Sequence, residues 1–106
     1  MDEIAVIRMW ITNKRDKKVT SDMSDSMIEF LSCAVENECI GSTFAEDEER
    51  IIVYTMWCDE VSLEQFRSSR DYKAIEERII DSYVSACFEI PNDILFNSTA
   101  KILFKN

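Results

Sequence analysis

Residues 50–66, RIIVYTMWCDEVSLEQF, decide the fold, because a β-rich stretch changes there directly into a helical one. Its first half alternates two sets of mainly apolar side chains, which predicts a strand over 50–57. One set is Ile51, Val53, Thr55 and Trp57, and the other is Ile52, Tyr54 and Met56. Ser62 and Gln65 have capping-box spacing, which predicts a short helix from Leu63. Neither face of the strand is therefore suited to water.

The segments before this stretch predict a strand, a helix and a hairpin. IAVIRMWIT at 4–12 alternates like the strand above and is also apolar on both faces. Apolar residues recur at steps of three and four over 21–36, which predicts an amphipathic helix. A strand over 40–45 and a polar turn at 46–49 then lead back to the strand at 50–57.

The segments after it predict one more helix and one more strand. Ser69 can cap a helix whose apolar stripe keeps its period for four turns. The stripe consists of Tyr72, Ile75, Ile79, Tyr83 and Cys87. IPND at 90–93 breaks the chain, and TAKILFK from Thr99 predicts the last strand.

This order of elements predicts one α+β domain over 1–106, with the split βαβ arrangement of ferredoxin-like folds. Helices would cover one face of a four-stranded antiparallel sheet. A second face that is also apolar needs its own cover, most simply the same face of a second copy. We therefore expect a homodimer whose two sheets form an α+β barrel, with Val6, Arg8 and Trp10 at the interface.

Composition excludes several classes of function. A net charge of −9 disfavours nucleic acid and membrane surfaces as partners. The chain has no His, which removes Ser-His and Cys-His nucleophile pairs and imidazole ligands for metals. Its four cysteines show no C-x-x-C spacing, so we expect reduced thiols, no metal site and, with an acidic N-terminus, a cytoplasmic location.

The stretch YTMWCDEVSLEQFRSSRDYKAIEERI, residues 54–79, resembles the antibiotic biosynthesis monooxygenase family of small dimeric α+β barrels. In that family a strand ends on Trp, and an acid-rich turn, an aromatic residue and a Ser-led segment lead to the last helix. ECIGSTF at 38–44 resembles the family's turn into the second strand, with Glu38 in place of a Gly while Cys39 and Gly41 remain. The resemblance extends from Ile4 to Phe104.

The resemblance carries over few functional residues. The haem-degrading branch uses an Asn, a second Trp and an iron-binding His, at positions that align with Ile7, Phe66 and Glu76. None of them matches, so we expect neither haem nor any other cofactor. The branch that oxidises planar aromatic polyketides uses a polar residue near the strand Trp, where this chain has Val53 and Thr55.

The candidate pocket lies between the sheet and the helices. We predict that its lining contains Ile7, Met9, Trp57, Phe66 and Tyr72, which suits a planar apolar ligand. The same residue types would also fill an ordinary core. Glu76, one turn after Tyr72, is a candidate base on a phenol or enol, with Tyr72 as a second proton-handling group. A solvated helix-face role is the alternative for Glu76.

Arg8 requires a partner if it is buried. A structural ion pair, with a carboxylate of the same or a second subunit, and an anion-binding role are both open. Two functions follow for the protein as a whole. One is a cofactor-independent monooxygenase on a small aromatic or enolisable substrate. The other is a non-catalytic homodimeric module that binds a ligand or partner.

Overall fold

A computed structural model describes residues 4–88 and 96–101, with the backbone alone for 96–100. The elements are β1 (Ile4–Asn13), α1 (Ser21–Glu36), β2 (Gly41–Glu46), β3 (Arg50–Trp57), α2 (Glu60–Arg67), α3 (Tyr72–Ser85) and β4 (Phe96–Lys101). The described helices include none that is long and apolar enough to cross a membrane.

The strands pair in the order β2-β3-β1-β4, and each neighbouring pair is antiparallel. β1 and β2 therefore run parallel on either side of β3, and β3 and β4 run parallel on either side of β1. Each crossover passes through helices, which gives two interleaved split βαβ units. The predicted α+β class and ferredoxin-like pattern are confirmed.

A side-chain hydrogen-bond network closes the β2–β3 hairpin. The Asp47 carboxylate accepts hydrogen bonds from the backbone N–H of Glu49 at 2.8 Å and of Arg50 at 2.6 Å. The Arg50 guanidinium donates to the same carboxylate at 2.8 Å. These bonds hold the pKa of Asp47 below its usual value, the backbone bond from Glu49 contributing most. The acidic turn is thus an Asx-type turn.

Both predicted serine caps are wrong. α2 begins at Glu60, three residues before the predicted start, because the Asp59 carboxylate accepts from the Ser62 backbone N–H at 2.8 Å. α3 begins at Tyr72 after a turn in which the Tyr72 N–H donates to the Ser69 carbonyl at 3.3 Å. The Ser69 hydroxyl is buried and has no hydrogen-bond partner among the described residues.

Two further boundaries differ from those predicted. α3 ends at Ser85, so Cys87 is not part of its stripe: it is exposed and has a φ of 63°, which a helix cannot contain. β4 begins at Phe96, three residues before Thr99. The predicted chain break at 90–93 and the end of the last strand lie outside the described residues.

The core lies between one sheet face and the helices. Val6, Trp10, Val53 and Trp57 supply the sheet side and are at most 8% exposed. α1 and α3 cover them with buried side chains at helical spacing. These are Met23, Met27, Phe30 and Ala34 from α1, and Ile75, Ile79 and Tyr83 from α3.

The other sheet face carries a patch that we call the outer patch: Ile7, Met9, Ile11, Ile52, Tyr54 and Met56. Its members are half-buried in the single chain. Register places Ile7 across from Met56, Met9 from Tyr54, and Ile11 from Ile52, so the patch is continuous over the two central strands. No described helix covers it, because α1, α2 and α3 pack on the opposite face.

The sequence prediction assigned the wrong set of β1 residues to this second face. Val6, Arg8 and Trp10 were expected at a dimer interface, yet they face the helices and are 4%, 7% and 8% exposed. The reason is register: Val6 pairs with Trp57, and paired residues of neighbouring strands project to the same side. An interface through the second face would use the outer patch instead.

Candidate functional site

Five aromatic side chains form a continuous cluster between the sheet and the helices. Trp57 and Phe66 are stacked with ring centroids 5.0 Å apart, and Tyr72 meets Phe66 edge to face, also at 5.0 Å. Phe30 of α1 contacts Phe66 at 5.4 Å and both Tyr72 and Trp10 at 6.0 Å. The predicted convergence of Trp57, Phe66 and Tyr72 is therefore present.

Trp57 is fully buried at the end of β3. Its indole N–H donates to the Thr55 hydroxyl at 3.2 Å, two residues earlier on the same face. This bond satisfies the only polar atom of the indole. We expected Thr55 near the activating polar position of the aromatic-oxidising branch, and here its hydroxyl accepts from Trp57.

A polar chain of three residues borders the cluster. Tyr72 is half-buried at the first position of α3, and the charges of Arg8 on β1 and of Glu76 one turn further along α3 both act on its hydroxyl. Arg8 is 7% exposed, whereas Glu76 is exposed to solvent. The border of the cluster therefore brings a buried guanidinium, a phenol and a solvated carboxylate into one electrostatic neighbourhood.

The surroundings of Tyr72 keep its hydroxyl protonated. Burial raises its pKa above the usual value of 10.0, and the negative charge of Glu76 raises it further, while Arg8 acts in the opposite direction. At neutral pH Tyr72 is accordingly a neutral phenol, which can donate to a carboxylate and accept from a guanidinium. This arrangement can hold or relay a proton.

Arg8 has no counter-ion in the part of the chain that the structure describes, since none of the ion pairs found there includes it. Its Nε atom is buried and has no hydrogen-bond partner. The Nε1 atom of Trp10, two residues along the same face of β1, is likewise buried and unpartnered. Both groups can only donate hydrogen bonds, so acceptors for them are missing on the side of β1 that faces the helices.

The structure does not bring all predicted pocket residues together. Ile7 and Met9 lie on the outer patch, on the opposite side of the sheet from Trp57, so they cannot line the same space. The strand residues beside the cluster are Val6, Arg8 and Trp10. The prediction missed Phe30, which contacts three aromatic neighbours; its place in the apolar stripe of α1 was the available signal.

The site does not fit haem. Haem iron is bound by imidazole, thiolate, thioether or phenolate groups. The chain has no His, the five-ring cluster includes no Cys or Met, and its one phenol, Tyr72, is held protonated. Glu76 interacts with Tyr72 and is exposed. In the residues that the structure describes, no three His, Cys, Asp or Glu side chains are grouped so as to hold a metal ion.

Comparison of folds identifies the class of structure. The chain is similar to SnoaB, a cofactor-independent oxygenase from Streptomyces nogalater, with a TM-score of 0.59 and 5% identity over 100% of this chain and 96% of that one. It is also similar to a Nitrosomonas europaea protein assigned to the antibiotic biosynthesis monooxygenases, with a TM-score of 0.62 and 10% identity over 98% and 94%.

These similarities confirm the predicted resemblance at the level of fold: the chain has the fold of the antibiotic biosynthesis monooxygenases. No protein-family model matches the sequence, and no curated protein matches it. The site must therefore be interpreted from its own residues.

Proposed function

We propose that the protein is a cofactor-independent monooxygenase that acts on a small planar aromatic or enolisable substrate. The observation that carries the proposal is the place of Tyr72, which meets Phe66 edge to face in the aromatic cluster while the charges of Arg8 and Glu76 act on its hydroxyl. It places groups able to accept a proton beside apolar rings suited to a planar ligand. Fold similarity to an oxygenase described as cofactor-independent supports it.

The reaction converts an activated methylene group of the substrate into a carbonyl, with one molecule of dioxygen as the oxidant and one molecule of water as the second product. Removal of a proton from the substrate leaves an electron-rich enolate, which dioxygen oxidises. One oxygen atom enters the product carbonyl, and the other leaves as water with the two hydrogens of the methylene. The substrate supplies all four electrons, so neither flavin nor metal is required.

Glu76 is the proposed general base, because its carboxylate is at the solvent edge of the cluster and can pass the proton to water. Tyr72, one turn earlier on α3, would donate a hydrogen bond that orients this carboxylate. Phe66 and Tyr72 would hold the substrate ring, with Trp57 behind Phe66. Ile7 and Met9 have no part in this site.

Oxygen uptake with dithranol, an enolisable three-ring anthrone, tests the proposal. The purified protein, treated with a chelator and given no reductant, should consume one dioxygen per dithranol above the protein-free rate and form the corresponding anthraquinone. Glu76→Gln should lower turnover by about 10²-fold. Glu77→Gln, the neighbouring exposed carboxylate, is the matched control and should not. Uptake that never exceeds the protein-free rate would refute this function.

A second candidate is a non-catalytic module that binds a ligand or partner. The observation in its favour is that Trp57 and Phe66 are 0% and 1% exposed and stacked on each other. Side chains in such contact fill the space that a ligand would take. No saturable quenching of Trp57 fluorescence by planar aromatics in a Trp10→Phe background, together with no oxygen uptake, would favour the module.

We also propose that the protein is a homodimer whose sheets face each other through the outer patch. An exposed apolar sheet face is costly in water, and a two-fold pairing would cover it in both copies. None of the three cross-strand pairs that make up the patch contains a charged residue, although the net charge of the chain is −9. Resemblance to a family of dimeric barrels supports the same assembly.

A further inference from the structure

We propose that Arg8 is the binding point for an anionic oxygen of the ligand, so that the protein takes its substrate as a phenolate. This inference rests on the proposed function only in sharing its site. Arg8 belongs to the sheet, whereas the proposed base Glu76 belongs to α3, and the two groups act on different atoms of the ligand.

The first argument is the burial of an uncompensated charge. Arg8 is 7% exposed and, in the described part of the chain, has no ion-pair partner. Arginine stays charged at all accessible pH values, and a buried charge is costly unless it is paired. The guanidinium therefore keeps capacity for an anion.

The second argument is the unused donor atom. The buried Nε of Arg8 has no hydrogen-bond partner in the described structure, and neither has the Nε1 of Trp10 on the same strand face. Alternate residues of a strand lie roughly 7 Å apart, so both donors belong to one region of the layer. Arg and Trp can only donate, so the missing partners are acceptor oxygens.

The third argument is the position of the guanidinium relative to the rings. Tyr72 contacts Phe30 and Phe66 and also interacts with Arg8, so a planar ligand in contact with these rings has an edge toward the guanidinium. Tyr72 is half-buried and Glu76 exposed, so this end of the cluster meets solvent. Low polarity around the site would strengthen a charge-assisted hydrogen bond to an oxyanion.

Alizarin, a hydroxyanthraquinone whose visible absorbance changes when its phenol ionises, tests the inference without turnover. Titrated with excess wild-type protein, the dye should ionise at least one pH unit lower than it does free in buffer. Equivalently, the ionised form should bind at least tenfold more tightly than the neutral form. An unshifted or raised dye pKa in the wild type overturns the inference before any variant is made.

Variants assign the effect to Arg8. Arg8→Met should abolish the dye shift, so that the ionised form loses at least tenfold in affinity while the neutral form changes less than threefold. Arg8→Lys should keep part of the shift, and it replaces Arg8→Met if that variant does not fold. Arg67→Met, an exposed arginine that pairs with Glu64, makes the same change in net charge and should keep the full shift.

The outcomes separate this inference from the proposed oxygenase. A shifted dye pKa that depends on Arg8, without oxygen uptake on dithranol, supports the anion site and refutes the oxygenase. Oxygen uptake with an unshifted dye pKa supports the oxygenase and refutes the anion site. If Arg8→Met lowered the affinity for the ionised and the neutral dye equally, Arg8 would only support the fold, and the inference would be overturned.

Discussion

Opposite positions of Val6 and Met9 on β1 give a sharp test of which sheet face is the interface. Val6 is 4% exposed beneath the helices, whereas Met9 is half-buried on the outer patch. An aspartate in place of Met9 can reach water in the single chain. In a face-to-face dimer it would be buried twice, once in each copy.

The magnitude follows from burying a charge without a partner. Taking about 3 kcal/mol for each copy, Met9→Asp costs the dimer about 6 kcal/mol. Every 1.4 kcal/mol is a factor of ten, so the dissociation constant rises by roughly 10⁴. A nanomolar dimer would then dissociate at micromolar concentration. Val6→Asp instead places the charge in the core and removes a similar amount from a domain stability of about 5–15 kcal/mol.

Sedimentation velocity and circular dichroism distinguish the two outcomes. Met9→Asp should sediment as a 12.4 kDa monomer with a wild-type spectrum, and the wild type should sediment at twice that mass. Met9→Leu, which keeps volume and polarity, should remain a dimer. Val6→Asp should lose structure or aggregate. A folded monomer from Val6→Asp, or an intact dimer from Met9→Asp, would refute the assignment of the faces.

Three further predictions concern the core and the site. Trp57→Ala should lower the free energy of unfolding by about 3 to 5 kcal/mol, because the indole is fully buried and stacked on Phe66. Chemical denaturation measures this loss. A loss under about 1 kcal/mol would indicate an open pocket instead. Burial raises the pKa of Tyr83 to about 12 from 10.0, so the unfolded state ionises first and stability should fall by about 3 kcal/mol as pH rises from 10 to 12. Tyr83→Phe should lose this dependence at no cost at neutral pH, because the buried hydroxyl has no partner in the described structure; an unchanged alkaline slope would contradict the cause. Titration with haemin should produce no defined Soret shift, and a sharp one-to-one complex would overturn the conclusion that the site does not fit haem.

Local sequence determined most of the secondary structure. Alternation placed β1 and β3, and helical periodicity predicted α1 with its observed bounds. Element order was sufficient for the ferredoxin-like pattern. The helix starts were predicted less accurately. Asp59 and Ser62 could each cap α2, and the backbone geometry of the turn decides which side chain accepts the hydrogen bond.

Spatial proximity was also predictable for residues that are close together in the chain. Tyr72 and Glu76 are four residues apart, which places them on one face of any helix, and the charge of Glu76 acts on the Tyr72 hydroxyl. Trp57 and Phe66 lie at the two ends of a short β-to-α connection, so their stacking follows from local chain direction.

Only the tertiary structure decided which face of β1 the helices cover. Alternation divides a strand into two sets, but when both sets are apolar, hydrophobicity does not say which one is inside. The antiparallel register, with Val6 opposite Trp57, makes that choice. It moved Arg8 from an expected interface to the side of Tyr72, 64 positions further along the chain, and placed Ile7 and Met9 on the outer patch. Such contacts depend on how strands pair over long separations, which no local pattern of side chains encodes.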